Sequence, residues 1–142
     1  MTESSLITVD ELQELAFERV PIAAELGMVV DSVSAGKAQI RLPYRETFVR
    51  PGGTVAGPVM MALADFAMFG VVLTRIGPVE LAVTTSFNIN FLHRPAPRDM
   101  LARGSLLKLG KRLAVMDVEL YSAGNDIMVA HATGTYSIPP RP

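Results

Sequence analysis

A chain of 142 residues with a net charge of −1 is the size of one domain, and 49% of its residues are apolar, enough for a sizeable core. So neutral a balance, without a long basic block, gives nucleic-acid binding no electrostatic support. Cysteine is absent, which excludes disulfides, thiolate catalysis and cysteine-ligated metal, and is compatible with a reducing, cytoplasmic compartment.

The opening stretch, Met1 to Thr8, is polar and lacks the basic region and apolar run of a signal peptide. Thr8-Val9-Asp10-Glu11 fits a capping box and predicts a helix to about Arg19, closed by Pro21. Met28 to Val33 reads as a strand, Ala35-Gly36 as a two-residue turn, and Lys37 to Leu42 as a second strand. Pro43 to Ala56 reads as a loop. Gly57 to about Ile76 reads as a long helix, with Pro58 in its first turn and Gly77-Pro78 at its end.

The strand predicted over Glu80 to Leu92 alternates, with Val83, Thr85, Phe87, Ile89 and Phe91 on the core face and Thr84, Ser86, Asn88 and Asn90 opposite. Met100 to Leu109 turns at Gly110 into Lys111 to Tyr121. A turn through Ala123-Gly124-Asn125 leads to Ile127 to Tyr136, and Ile138-Pro139-Pro140 ends the fold.

The order α-β-β-α-β-β-β-β, with a central helix apolar on nearly every face, predicts one α+β domain over 1–142. A curved antiparallel sheet wraps that helix. Val55 to Leu73 approaches the length of a membrane span, but Asp65 in its middle and Gly57-Pro58 near its start point to a buried helix and no membrane. A sheet that does not close leaves edges, so the strand over Glu80 to Leu92 is expected to pair with a copy of itself.

Asp65 is the first chemical clue. It interrupts an apolar run with no cation nearer than Arg75, ten residues on. Such a carboxylate either reaches water and caps a neighbouring loop, or does chemistry, because burial without partners is expensive. Gly57 is the second. At a helix N-terminus, free N–H groups and the helix dipole favour negative charge, as an oxyanion needs, although glycine there also simply eases entry into a helix. Eight residues separate the two, about 12 Å along a helix. An oxyanion donor must lie about 3 Å from its oxygen. One chain's pair does not easily serve one carbonyl, whereas antiparallel helices of two chains could place Gly57 of one opposite Asp65 of the other.

The run Pro51-Gly52-Gly53-Thr54-Val55-Ala56-Gly57-Pro58-Val59-Met60-Met61-Ala62-Leu63-Ala64-Asp65 resembles the signature of PaaI-like hotdog-fold acyl-CoA thioesterases, the phenylacetate-pathway type. Asn88 to Pro95 and Leu109 to Val115 resemble later parts of that pattern, so the likeness covers roughly Phe48 to the C-terminus. The resemblance implies a hotdog fold and acyl-CoA hydrolysis without metal or cofactor. It implies Asp65 as nucleophile or general base, the Gly57 amide as oxyanion hole, and the Thr84 hydroxyl as a water-orienting group. There are departures. The family commonly has His-Gly-Gly where this chain has Ala56-Gly57-Pro58, and a polar amide where it has Arg50. Pro58 also removes an N–H.

His93, Arg94, Lys108, Lys111 and Arg112 fall in or beside loops, as a solvated rim or as contacts to CoA phosphates, for which arginine is suited. With Arg50, Pro58 and Met61, residues His93, Arg94, Lys111 and Arg112 form the expected substrate-binding set. Met60, Met61 and Met68 read as core or as an adaptable acyl pocket. His93 and His131, the only histidines, have no metal-ligand spacing, and His131 reads as structural. No serine has the glycine-flanked setting of a hydrolase nucleophile. The expectation is therefore an acyl-CoA thioesterase acting as a homodimer or dimer of dimers. Two alternatives are a non-catalytic acyl-CoA-binding hotdog protein and a hydroxyacyl-thioester dehydratase, which would want a histidine beside a carboxylate.

Overall fold

The computed structural model describes residues 4–140; the first part of the polar N-terminal stretch and the last two residues lie outside it. Helix α1 spans Val9–Arg19, and both halves of the Thr8/Glu11 capping box are formed. Pro21 does not merely close α1. It opens a second short helix, α2 (Pro21–Leu26), because proline at the first helical position is pre-set for a start as well as a stop.

Strands β1 (Val29–Ser34) and β2 (Lys37–Leu42) form the expected hairpin. The stretch from Pro43 to Ala56 is not featureless. A 3₁₀ turn over Glu46–Phe48 leads into a two-residue hairpin of β3 (Val49–Arg50) and β4 (Thr54–Val55). Helix α3 then runs over Gly57–Ile76, as predicted. Strands β5 (Val83–Phe91), β6 (Met100–Leu109), β7 (Leu113–Ser122) and β8 (Met128–Ser137) follow. Lys111 and Arg112 fall in the β6–β7 turn rather than in the strand. Glu80 lies before β5, where it pairs with Arg19 at 2.6 Å.

The six long strands make one antiparallel sheet in the order β1-β2-β6-β7-β8-β5, curled about α3, which is the hotdog arrangement of an α+β fold. Long and apolar enough to cross a membrane by composition, α3 is instead the buried centre of this fold. Its second half, Phe66 to Thr74, is wholly buried. Two glycines let it lie close to the sheet. A Cβ on Gly104 of β6 would stand 2.6 Å from Val71 Cγ2, and one on Gly134 of β8 would stand 2.5 Å from Met68 Sδ.

The sheet's two edges differ. At β1, the Gln13 side chain of α1 acts as a substitute strand: its Nε2 donates to the Met28 carbonyl (3.1 Å) and its Oε1 accepts from the Val30 N–H (2.7 Å). At β5, one side pairs with β8 and, among the described residues, the other side has no strand partner.

Strand β5 departs from the expected alternation. The β5–β8 register slips between Thr84 and Ser86, leaving Thr85 as a bulge. One extra residue reverses the facing of everything before it. Thr84 therefore shares the α3 side with Phe87 and Ile89, while Val83, 57% exposed, and the bulged Thr85, also exposed, both leave the core face on which simple alternation puts them.

Candidate active site

Asp65 lies halfway along α3, on the stripe left open beside β5. Pro58, Met61, Ala62 and Asp65 follow at helical spacing, and all are partly or fully exposed, whereas the turns beyond are buried. The sheet supplies its hydrogen bonds. Thr84 on β5 and Tyr136 on β8 face each other across the two strands, and both hydroxyls reach the same carboxylate oxygen. Thr84 Oγ1 donates to Asp65 Oδ1 at 2.7 Å, and Tyr136 OH approaches Oδ1 at 2.9 Å. The tyrosine hydroxyl is equally close, 2.9 Å, to the main-chain oxygen of Asp65. Among the described residues no cation pairs with Asp65.

The carboxylate opens on a cavity of about 290 Å³ lined by Met61, Ala62, Asp65, Thr84 and Phe87. Apart from Asp65 and Thr84 that lining is apolar. Tyr136 itself is only 3% exposed, its ring 6.5 Å from that of Phe69. Burial, reinforced by the negative charge of Asp65, pushes its phenol well above the ordinary tyrosine range.

Gly57 is the first residue of α3. Of the amides at that end, Ala56 donates to the Phe48 carbonyl, Val59 and Met60 to the Ala56 carbonyl, and Pro58 has none to give. Among the described residues, the Gly57 N–H is thus the donor left at the helix tip. Glycine there also relieves the clash that a side chain before proline would make in a helical conformation. Ala56 provides no side-chain cap.

A second cavity, about 380 Å³, is lined by Arg50, Gly57, Phe91, His93 and Arg94 among others. Of the expected substrate-binding residues, Arg50, His93 and Arg94 therefore gather at the Gly57 end, while Met61 belongs with Asp65 and Thr84. Pro58, on the same stripe of α3 as Met61 and Asp65, is exposed and lines neither cavity. Lys111 and Arg112 do not join them. They line a third depression, with Arg75 and Ile76, at the far end of α3, because the β6–β7 turn lies there. The basic residues that sequence places in one rim thus occupy two separate places.

His131 meets a carboxylate, Asp117, at 3.0 Å. That pair lies on the outer face of the sheet, since Met116 and Val118 on either side of Asp117 are buried against the core, so it does not adjoin Asp65. Tyr136 is the site residue that sequence reading misses. Its inward parity with Ala130, Ala132 and Gly134 was legible, but a tyrosine at such a position reads as core until its hydroxyl is seen to reach Asp65.

Residues 52–129 match the model of the thioesterase superfamily. A Thermoplasma acidophilum protein named "Putative esterase Ta0293" is 31% identical over 109 residues, 77% of this chain and 81% of that protein. The crystal structure of a "putative thioesterase" from Silicibacter sp. TM1040 superposes with a TM-score of 0.87 at 40% identity, covering 99% of this chain and 97% of that one. A mutant structure of the phenylacetic acid degradation protein PaaI from Thermus thermophilus gives a TM-score of 0.74 at 29% identity, covering 84% of this chain and 99% of that one. The sheet wrapped about α3 and these likenesses together establish that the chain belongs to the thioesterase superfamily and is a PaaI-like hotdog-fold member of it.

Proposed function

We propose that this protein hydrolyses an acyl-CoA or aryl-acyl-CoA thioester to the free acid and CoA, at a site shared by two copies of the chain. The observation that carries the reading is Asp65. It is a carboxylate in an otherwise apolar helix, held by two hydroxyls and opening on a cavity with apolar walls. In one course the carboxylate takes a proton from water as the water oxygen attacks the thioester carbon. In the other it attacks that carbon itself, and water then cleaves the resulting anhydride. Either way the C–S bond breaks and CoA leaves as a thiolate, which takes up a proton. Thr84, on Oδ1, orients the carboxylate or its water. The Gly57 amide of the partner copy stabilises the oxyanion, a contribution typically worth about 10²–10³ in rate.

Met61 and Pro58 border the acyl chain. Arg50, His93 and Arg94 meet the CoA phosphates at the Gly57 end, and Lys111 and Arg112 serve only where a second copy brings the far end of α3 near. The uncovered β5 edge and the open stripe of α3 support pairing along β5, with a dimer of dimers as the larger assembly. The chemistry asks for no metal or cofactor, and an acyl-CoA substrate, held inside cells, supports a cytoplasmic location. The outer-face position of His131 and Asp117 weighs against dehydration.

The test is a hydrolysis screen at neutral pH across short, long and aryl acyl-CoAs, following free thiol. The expected outcome is release of CoA from at least one ester by the wild type. Binding without turnover across the whole panel would replace this reading with that of an acyl-CoA-binding protein.

A further inference from the structure

The Asp65 carboxylate is held asymmetrically. Oδ1 accepts from Thr84 at 2.7 Å and from Tyr136 at 2.9 Å, while among the described residues Oδ2 accepts no hydrogen bond. The Tyr136 hydroxyl is also 2.9 Å from the main-chain oxygen of the same residue. A donor shared between a residue's own main-chain and side-chain oxygens fixes the side chain against its backbone. Tyr136 is well suited to this. It is 3% exposed, its ring packs beside Phe69 on α3, and it projects from the strand next to the one carrying Thr84, at the facing position. A threonine alone, on an edge strand and partly exposed, would leave the carboxylate free to rotate about its own bond.

We propose that Tyr136 is a positioning residue for the reaction: together with Thr84 it anchors Oδ1 of Asp65 and leaves Oδ2 as the one oxygen presented to the water or the thioester carbon. The proposal rests on Asp65 acting in hydrolysis, as read above. It does not place Tyr136 in contact with substrate. The tyrosine acts through the carboxylate, and its effect vanishes when the carboxylate does. A merely structural tyrosine, whose hydroxyl finds Asp65 only to satisfy itself, would matter equally with or without the charge.

A double-mutant cycle separates these roles. Tyr136→Phe keeps the ring beside Phe69 and removes only the hydroxyl. In the wild-type background it should lower kcat by at least about tenfold, as expected for losing one hydrogen bond to a charged group, with KM changed less than about twofold. In the Asp65→Asn background the same change should alter the residual kcat by less than about twofold. An equal loss in both backgrounds, or no loss in the first, overturns the proposal while leaving the Asp65 reading intact. An Asp65→Asn variant with undiminished kcat overturns the Asp65 reading, and this proposal with it.

Where Tyr136→Phe lowers the folded fraction, tyrosine absorbance tests the same contact. The chain has three tyrosines and no tryptophan, so phenolate absorbance is uncluttered. Asp65→Asn removes a negative charge that, after burial, helps hold the Tyr136 phenol above the ordinary tyrosine range. Over the alkaline range in which both proteins remain folded by circular dichroism, phenolate absorbance should therefore rise at lower pH in the variant than in the wild type. An unchanged titration overturns the coupling.

Discussion

At the scale of single residues, the site is a carboxylate supplied with hydroxyls instead of a cation. Asp65→Asn keeps the shape and removes the negative charge. If the carboxylate serves as base, kcat should fall by about 10²–10⁴ while the protein remains folded and still binds acyl-CoA. Steady-state kinetics with a binding isotherm on the same variant check this; an unchanged kcat removes Asp65 from the mechanism. Tyr136 adds a dependence on alkaline pH. Its folded-state ionisation lies above that of an unfolded tyrosine, about 10, so the unfolded chain releases this proton first. The stabilisation it contributes is complete below about pH 10 and is lost as pH rises beyond it. Denaturation midpoints across that range should fall, and should fall less steeply in Tyr136→Phe. Asp65 and Gly57 were legible in the sequence because each breaks a local expectation, a charge in an apolar helix and a glycine before a proline. Thr84 was legible only through family resemblance. The run Thr84-Thr85-Ser86 carries no glycine to mark its bulge, so simple alternation turned Thr84 the wrong way.

At the scale of elements, close approach of α3 to the sheet depends on small residues where strands pass beneath it. Gly104→Ala would drive a Cβ to 2.6 Å from Val71 Cγ2, a β-branched side chain with little rotamer freedom in a helix. Overpacking of this kind should cost about 1–3 kcal/mol, read from urea unfolding, with the secondary structure unchanged. No measurable loss would mean that α3 can ride outward from the sheet. The long elements were readable because apolar periodicity and glycine-proline punctuation agreed over many residues. The short ones were not. Helix α2 hid behind a proline that reads as a stop, and the β3–β4 hairpin is only two residues deep on each side. Lys111 and Arg112 shifted from strand to turn because a strand end is fixed by pairing with its neighbours, which the local sequence does not specify.

At the scale of the whole molecule, the sheet has one edge covered by Gln13 and another left open along β5, next to the open stripe of α3. Phe91 and Leu92 at the end of that edge are 49% and 52% exposed, and Met61 on the stripe is 41% exposed, so apolar surface collects where a second copy would lie. Gly57 and Asp65 stand about 12 Å apart along α3, too far to serve one carbonyl within a chain. The measurement that tests the shared site most directly mixes two inactive parents, Asp65→Asn and a Gly57→Val variant whose branched side chain obstructs the amide. If sites are shared, a hybrid dimer carries both defects in one site and none in the other, so activity should reappear on mixing, after subunit exchange, to about half that of a wild-type dimer per hybrid. If each chain builds its own site, every site keeps one defect. A mixture that stays inactive once exchange has been demonstrated would contradict the account.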